Sequence, residues 1–291
     1  MNDTGVHPGE LRHGLTYLWP SEVAQQYYCE YKVHLTRLHP EVLIDSPPLE
    51  SGEASHAALA SQAEPVSPAE IEQAIRTGKK LALPEWVLEG SFQGVRIRGR
   101  PDFFAFEGKK AVLLLEFKFS SAKQPFRDQE VQAELYALLA KSADFSTEGL
   151  CFGVVLFPPA WIGGGFQEAA STKGEMLRLC NNDGTLHTIH ERCGQAREAL
   201  LIGRTKQMTV KGDGWTAFLH RFDTERAAKN LTWALGYWLG QRGPIPVKRY
   251  PNKCFACPFN AAGLCEHALR APDPGFEVER RQDGRIFVFR G

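Results

Sequence analysis

The eight residues from Leu113 to Ser120, LLLEFKFS, place a glutamate and a lysine inside an apolar run that has the length of a buried β-strand. Side chains alternate between the two faces of a strand, so the leucines and phenylalanines at odd positions would share one face. Glu116 and Lys118 would then point together to the other face. A buried ion pair contributes little net stability, so packing alone does not explain this pair. Either it forms an ordinary salt bridge on a half-exposed face, or it is kept for chemistry.

The composition is that of an ordinary globular chain, with 43% hydrophobic and 23% charged residues over 291 positions. The formal net charge is zero, so any affinity for nucleic acid must come from a local basic surface. The sequence does not start with a basic and then apolar leader, and its longest apolar run falls far short of the roughly 20 residues of a membrane helix. A cytoplasmic protein with no membrane partner is therefore expected.

The periodicity of apolar residues predicts a mixed α/β fold. Helices are expected over residues 20–38 and 52–62. Between residues 81 and 120 the period changes to two, which predicts three consecutive antiparallel strands. A helix over 125–141 and a strand over 150–158 follow.

The second half of the chain is less regular. Residues 158–219 contain only short strand-like stretches around a glycine-rich segment, and we interpret them as an insertion. A helix is expected from Asp223 to Gly240, and Asp283-Gly284 indicates a C-terminal hairpin. These features divide the chain into a main domain over 1–157 and 220–270, the insertion, and a hairpin segment over 271–291.

A second carboxylate, Asp102, stands at the start of the strand that precedes Glu116. Whether the two carboxylates share a face depends on the loop near Gly108. A three-residue hairpin loop over 108–110 would set Asp102 opposite Glu116, whereas a two-residue loop would set it opposite Leu115 and turn it away.

Two carboxylates that converge at a sheet edge suit a hard divalent cation such as Mg²⁺ or Mn²⁺, which prefers oxygen ligands. Such an ion can activate water and neutralise charge on a phosphate. A lysine beside it, such as Lys118, can hold or deprotonate the attacking water. The pattern favours hydrolysis of a phosphodiester.

The segments GRPD, which ends at Asp102, and EFK, from Glu116 to Lys118, resemble the motif of the PD-(D/E)xK nuclease superfamily. Two neighbouring patterns are similar to those of its RecB-like branch. They are Gly52-x-x-x-His56 before the motif and Gln132-x-x-x-Tyr136 after it. The resemblance implies a restriction-endonuclease-like core, in which helices flank a mixed central sheet.

The resemblance also implies roles for individual residues. The metal ligands would be His56, Asp102, Glu116 and the backbone carbonyl of Phe117. Lys118 would be the catalytic lysine. Gln132 and Tyr136 would orient that lysine or the DNA.

Cys254, Cys257 and Cys265 form a compact group that supplies three of the four thiolates of a closed metal site. The resemblance implies the fourth, because iron–sulfur members of the RecB-like branch carry one cysteine before the nuclease motifs and three after them. Cys29 has that position. The four cysteines would then bind a structural [4Fe-4S] cluster, an arrangement most similar to the CRISPR-associated exonuclease family and to helicase-linked nucleases.

Zinc is the alternative occupant, with His267 or Cys151 as a substitute ligand. Cys151 lies in an apolar strand and is also explained as a small buried hydrophobe. Cys180 and Cys193 fall in the predicted insertion, where neither a disulfide nor a metal role is expected.

Basic and aromatic residues are candidates for DNA contacts. Arg96, Arg98 and Arg100 alternate along the strand that leads to Asp102. Others extend that surface: Lys79, Lys80, Lys109, Lys110, Lys123 and Arg127. The alternative is a solvated charged face. Aromatic rings that could stack on single-stranded bases, or else pack in the core, are Trp161, Phe166, Trp215, Trp233 and Trp238.

The expected function is that of a metal-dependent DNA exonuclease on single-stranded ends, with Mg²⁺ or Mn²⁺ for hydrolysis and a structural [4Fe-4S] cluster. The resemblance implies a role in CRISPR adaptation or in DNA recombination and repair. Spacer-integration proteins or a helicase would then be partners. The alternative is a non-catalytic DNA-binding or scaffold subunit that keeps the nuclease fold.

Overall fold

Helices and strands form two units in the computed structural model, which describes residues 10–45, 56–57, 59–120, 122–157, 184–203 and 205–290. The first unit holds Met1–Thr16, Ser21–Glu50 and Leu231–Gly291, and the second holds Tyr17–Pro20 and Ser51–Asn230. Within the described ranges, no helix has the length and apolar character needed to span a lipid bilayer.

The second unit is built on a six-stranded mixed sheet in the order β2-β5-β6-β7-β9-β8. Only the central pair, β6 and β7, is parallel, and the other neighbours are antiparallel. Numbered along the whole chain, its strands are β2 (Lys80–Pro84), β5 (Phe103–Glu107), β6 (Lys110–Phe119), β7 (Cys151–Phe157), β8 (Gln207–Gly212) and β9 (Trp215–Arg221). A separate antiparallel hairpin is formed by β3 (Leu88–Phe92) and β4 (Val95–Gly99).

Helices of this unit pack against the sheet. They are α2 (Pro68–Thr77), α3 (Arg127–Ser142) and α4 (Thr185–Ile202). A parallel strand pair needs a crossover connection, and α3 supplies it between β6 and β7. This helix packs against β6 and β7, whereas α4 packs against β8 and β9. The helix predicted over 125–141 is thereby confirmed, with its start two residues later.

Strand β6 is buried on both faces. Leu113, Leu115 and Phe117 share one apolar core with side chains of α4, and Phe119 packs against that core. The even positions face the other way, where Lys118 contacts Gln132 of α3. The alternation predicted for LLLEFKFS is therefore confirmed, and Glu116 lies on the α3 side with only 2% of its surface exposed.

The hairpin between β5 and β6 reaches the predicted register by a different route. Its loop is the two-residue turn Gly108-Lys109, because Glu107 pairs with Lys110. A β-bulge at Val112 then shifts the pairing by one residue, so that Phe103 lies opposite Leu115. Continuing that register by one position sets Asp102 opposite Glu116. The loop thus has two residues and not three. The bulge supplies, inside the strand, the extra residue that a three-residue loop would have supplied.

Two further differences come from pairings that local periodicity does not encode. The three consecutive strands predicted over 81–120 are five, β2 to β6, and β4 pairs with β3 and not with β5. The segment predicted as an insertion over 158–219 contains α4, β8 and most of β9, which belong to the main sheet and its core. Residues 158–183 lie outside the described residues.

The first unit combines helices with a three-stranded sheet in the order β1-β11-β10. The predicted C-terminal hairpin is confirmed, and its second strand also pairs in parallel with β1. Its elements are α1 (Pro20–Leu38) from Ser21 onward, β1 (Val42–Asp45), α5 (Thr224–Trp238) from Leu231 onward, α6 (Pro251–Phe255), α7 (Pro258–Ala261), β10 (Phe276–Arg280) and β11 (Ile286–Arg290). The predicted helices over 20–38 and 223–240 correspond to α1 and α5.

Gly99 gives the first testable prediction, because it lets β4 approach α3 closely. A Cβ atom at this position would lie 2.6 Å from Cε1 of Tyr136 and 2.9 Å from Cγ of Pro20. We expect Gly99→Ala to lower the free energy of unfolding by about 1–3 kcal/mol, as overpacking does. Urea unfolding followed by circular dichroism measures the change.

Gly194, inside α4, is the matched control, since a Cβ there would meet nothing within 4 Å. Alanine is the better helix former, so Gly194→Ala should raise the free energy of unfolding by about 0.5–1 kcal/mol. Equal stability of the two variants would contradict the packing described for Gly99.

Candidate functional site

The β-bulge brings Asp102 beside Phe117, toward the C-terminal end of β6. Its Oδ2 accepts a hydrogen bond of 2.6 Å from the backbone N–H of Phe117. Asp102 is thereby fixed beside the residue that follows Glu116, and its carboxylate is mostly buried, with 14% of the side chain exposed. The two acids therefore lie on neighbouring strands of one sheet at the same level.

His56 joins the two acids from a short helical segment. Its Nδ1 lies 3.2 Å from Oδ1 of Asp102. Burial opposes protonation of the ring, but the hydrogen bond and charge of Asp102, with the charge of Glu116, outweigh it and raise the pKa of His56 above its usual value. The imidazole also packs edge-on against Phe119, with ring centroids 5.1 Å apart.

Glu116 is the most deeply buried acid of the site. Its Oε1 accepts a 2.7 Å hydrogen bond from Nζ of Lys118, whereas its Oε2 is buried without a hydrogen-bond partner among the described residues. Burial is the main cause that raises the pKa of Glu116 to about 7, and the charge of Asp102 adds to it. The charges of Lys118 and His56 act to lower this pKa.

A chain of hydrogen bonds leads from Lys118 into α3. Nζ of Lys118 donates to Oε1 of Gln132 at 3.2 Å, and Nε2 of Gln132 is 3.3 Å from the hydroxyl of Tyr136. Residues four apart share one face of a helix, which is why Gln132 and Tyr136 line up. Burial raises the pKa of Tyr136 well above its usual value, so this hydroxyl stays neutral.

The structure thus brings together the side chains that the sequence singled out for one centre: His56, Asp102, Glu116, Lys118, Gln132 and Tyr136. Gly52 lies outside the described residues. The predicted metal role of the carbonyl of Phe117 stays a prediction, since the contact that the structure gives this residue runs through its N–H.

No three or more His, Cys, Asp or Glu side chains in the described part of the chain are placed to hold a metal ion as they stand. The reason at this site is that the candidate ligands contact protein partners: His56 lies against Asp102, and Glu116 binds Lys118. The donor set nevertheless fits a hard divalent cation, because two carboxylates and an imidazole converge and one buried carboxylate oxygen lacks a partner in the described part of the chain.

The cysteines gather in the first unit. Cys29, Cys254, Cys257 and Cys265 all line one pocket, which has a cavity volume of about 20 Å³ and is partly open to solvent. Cys29 interrupts α1 with an extended backbone, φ −163° and ψ 106°. Burial raises the pKa of Cys257, while the backbone N–H groups of Asn260 and Phe259 act to lower it. Four thiols that line one pocket supply the number of ligands that a zinc ion or an iron–sulfur cluster takes.

Lys253 is a contributor that the sequence analysis missed. Its Nζ donates to the carbonyl oxygen of Tyr28 at 2.7 Å and to that of Tyr27 at 3.4 Å. These carbonyls immediately precede the break of α1 at Cys29, so the ammonium compensates for lost helical hydrogen bonds. The only sequence signal was its position next to Cys254.

The remaining cysteines separate from this group. Cys151 and Cys193 are fully buried in the core of the second unit, and burial raises the pKa of Cys151 to about 11. Cys180 lies outside the described residues. His267, the other proposed substitute ligand for zinc, lines the cysteine pocket.

Several of the predicted DNA-contacting residues have protein partners instead. Nε of Arg98 is 3.0 Å from Oε1 of Glu89, and Lys109 pairs with Asp144. Weaker pairs link Lys80 to Glu107, Arg100 to Glu85 and Arg127 to Glu130. Trp215 and Trp238 are core residues, whereas Trp233 is 40% exposed. Trp161 and Phe166 lie outside the described residues.

Comparison with known proteins leaves the family open. No known protein-family profile matches the sequence, and no curated protein sequence matches it. A solved structure reported as "Crystal structure of SSO0001" is similar over 88% of this chain and 88% of its own, with 12% identity and a TM-score of 0.41. A similarity of that size says nothing about what this chain binds or does.

The buried state of Glu116 gives a pH prediction. The folded protein keeps this proton up to about pH 7, whereas the unfolded chain releases it near 4.5. The folded state therefore binds more protons between these values, and the free energy of unfolding should fall as the pH rises through them. We expect a fall on the order of 3 kcal/mol from this group, measured by urea unfolding in EDTA.

Glu116→Gln is the comparison, because it cannot titrate and keeps the shape of the side chain. Its free energy of unfolding should fall less over the same pH range. The difference between the two pH profiles gives the contribution of Glu116, separate from that of His56. Parallel pH profiles for the two proteins would contradict the burial and charge assigned to Glu116.

Proposed function

We propose that the chain is a metal-dependent DNA nuclease of the PD-(D/E)xK type, RecB-like branch. The observation that carries the proposal is the convergence of His56, Asp102, Glu116 and Lys118 around a buried carboxylate oxygen with no partner among the described residues. A buried unpaired oxygen costs about 1–3 kcal/mol. A fold selected only for stability would not retain it next to a second carboxylate.

The architecture supports the same proposal. Asp102 precedes the strand β5, Glu116 and Lys118 lie on the neighbouring β6, and α3 follows in a crossover to the parallel strand β7. This order of elements is compatible with the restriction-endonuclease-like core that the resemblance implies. The presence of Asp102, Glu116 and Lys118 also favours a nuclease over a DNA-binding subunit, which would not need them.

The ligands for Mg²⁺ or Mn²⁺ would be Asp102, Glu116 and His56, with the carbonyl of Phe117 as a fourth. The ion, when bound, supplies an activated water and neutralises charge on the phosphate. Hydrogen bonds within the protein position these ligands independently of the ion. The N–H of Phe117 orients Asp102, and Lys118 holds one oxygen of Glu116 so that the other stays available.

Lys118 would act as a fixed positive charge. Burial alone would lower its pKa, but the neighbouring Glu116 and Asp102 raise it above the usual value, so Nζ carries its proton. An ammonium has three donors, of which Glu116 and Gln132 take two. The third is left to position the attacking water or a phosphate oxygen. Gln132, backed by Tyr136, keeps the ammonium in place.

We also propose that Cys29, Cys254, Cys257 and Cys265 bind a [4Fe-4S] cluster of structural role. The four thiols line one pocket, although Cys29 stands far in the sequence from the other three, and backbone N–H groups face the thiol of Cys257. A cluster bound by all four would connect α1 to the segment of α6 and α7. It would therefore close a very long loop, which stabilises a fold.

The substrate class follows from the same resemblance, and we propose single-stranded DNA ends. The pathway would be CRISPR adaptation or DNA recombination and repair, with spacer-integration proteins or a helicase as partners. A DNA-binding subunit without activity is the competing function. DNA binding that persists while no metal dependence of cleavage is seen would favour it.

A nuclease assay with Mg²⁺ or Mn²⁺ on single-stranded DNA tests the activity. We expect Lys118→Ala to reduce cleavage by about 10²–10³-fold, because it removes the ammonium proposed to position the attacking water or a phosphate oxygen. Lys211→Ala is the matched control, since Lys211 lies exposed on β8 of the same sheet, and it should cleave like the parent. Equal activity of Lys118→Ala and Lys211→Ala would remove Lys118 from the mechanism.

Anaerobic purification tests the cluster independently of activity. The parent protein should be brown and contain iron and acid-labile sulfide, and Cys257→Ser should lose most of both because one of four ligands is gone. Cys193→Ala, which removes a thiol from the core of the second unit, should retain them. A colourless parent protein that contains zinc would refute the iron–sulfur assignment in favour of a zinc site.

A further inference from the structure

A second pocket of the first unit has a lining that the nuclease site does not explain. Its cavity volume is about 240 Å³, and it is largely open to solvent. Four aromatic side chains stand along it: Tyr27, Tyr28, Trp233 and Tyr250. We call it the aromatic groove. Cys29 lines both this groove and the cysteine pocket.

The aromatic rings of the groove are accessible to a ligand. Trp233 is 40% exposed and Tyr250 is 63% exposed, so a ligand can reach both rings. Trp233 is held by Tyr27, whose ring centroid is 5.0 Å away, and by the guanidinium of Arg242 at 4.6 Å. The rings are therefore exposed but supported, as a stacking surface requires.

Lys253 holds the two other rings. Its Nζ lies 4.5 Å from the ring centroid of Tyr28 and 5.4 Å from that of Tyr250. The same ammonium binds the carbonyl of Tyr28, so its place is fixed by the backbone. A cation between two rings keeps their orientation and makes the surface positive.

The charge of the groove is positive although the chain as a whole is neutral. Lys248 and Arg249 are exposed at its edge and form no ion pair within the described residues. Glu30 is the one acidic residue in the described lining, and it is already neutralised by Arg242 and accepts the N–H of Ile245. The free charge therefore favours an anionic ligand.

We propose that the aromatic groove binds single-stranded DNA, with Trp233 and Tyr250 stacking on bases and Lys248 and Arg249 contacting phosphates. Exposed rings beside unpaired cations match the two parts of a nucleotide, whereas an apolar peptide would leave the cations without partners. The identity of the nucleic acid rests on the nuclease proposal. The groove would hold substrate outside the metal centre.

Fluorescence anisotropy of a labelled oligothymidylate measures this binding. Lys118→Ala in EDTA serves as the parent, so that no cleavage occurs. Adding Lys248→Ala with Arg249→Ala should weaken binding and reduce the slope of log K against log salt by about 0.7 for each lost phosphate contact. The control removes the same charge from the exposed positions 206 and 211, as Lys206→Ala with Lys211→Ala, and should keep the parent slope.

Substitutions of Tyr250 test whether bases stack on its ring. Tyr250→Ala should weaken binding of the single strand about 10-fold, and Tyr250→Phe should retain it because the ring remains. Binding of a duplex of the same sequence should not depend on Tyr250, since its bases are already stacked. An equal loss for duplex and single strand, or no loss in either set of variants, would overturn the groove as a single-strand site.

Failure of this inference and failure of the nuclease proposal give different results. If the protein cleaves DNA but all groove variants bind like the parent, the nuclease proposal stands and the groove proposal fails. If the protein does not cleave DNA but Tyr250→Ala weakens its binding of single strands, the groove proposal stands and the nuclease proposal fails.

Discussion

The hydrogen bond from the N–H of Phe117 to Asp102 is the contact on which the candidate centre depends. It fixes a carboxylate from the end of one strand against the backbone of the next, between Glu116 and Lys118. The bulge at Val112 makes it possible, because without that extra residue the pairing begun at the Gly108-Lys109 turn would set Asp102 opposite Leu115. One irregular residue thus decides whether two acids face each other or face apart.

That arrangement is costly for stability. Glu116 is buried beside a second acid, its pKa is raised to about 7, and one of its oxygens has no partner among the described residues. The rest of the unit offsets this cost with apolar packing on both faces of β6. A site whose groups oppose one another electrostatically is typical of a functional centre and not of a structural ion pair. A divalent cation would relieve the repulsion directly, which is why we favour hydrolysis with a metal.

Much of this centre could be predicted from residues 102 to 136, because period-two alternation and four-residue helical spacing are local properties. They give the faces of Glu116, Lys118, Gln132 and Tyr136 without any knowledge of the rest of the fold. The bulge could not be predicted, since nothing in Val112 distinguishes it from its apolar neighbours. Nor could β8 and β9 be assigned to the main sheet, because they join it through the pairing of β9 with β7, which links segments about 60 residues apart and leaves no local trace.

The same limit applies to the first unit. The spacing of Cys254, Cys257 and Cys265 is a local signal, but the break of α1 at Cys29 and its support by Lys253 arise from contacts between distant segments. The aromatic groove could not be predicted from the sequence either. Its rings come from α1, α5 and the turn before α6, and only their exposure in the fold separates Trp233 from the core residue Trp238.

A crystal structure of the protein with Mn²⁺, with the ion located by its anomalous scattering, tests the central claim most directly. We predict a single strong peak in the second unit, about 2.0–2.3 Å from oxygens of both Asp102 and Glu116, with His56 turned from Asp102 toward the ion. A structure at saturating Mn²⁺ with no ion between these two carboxylates, and with Glu116 still bound only to Lys118, would contradict the account.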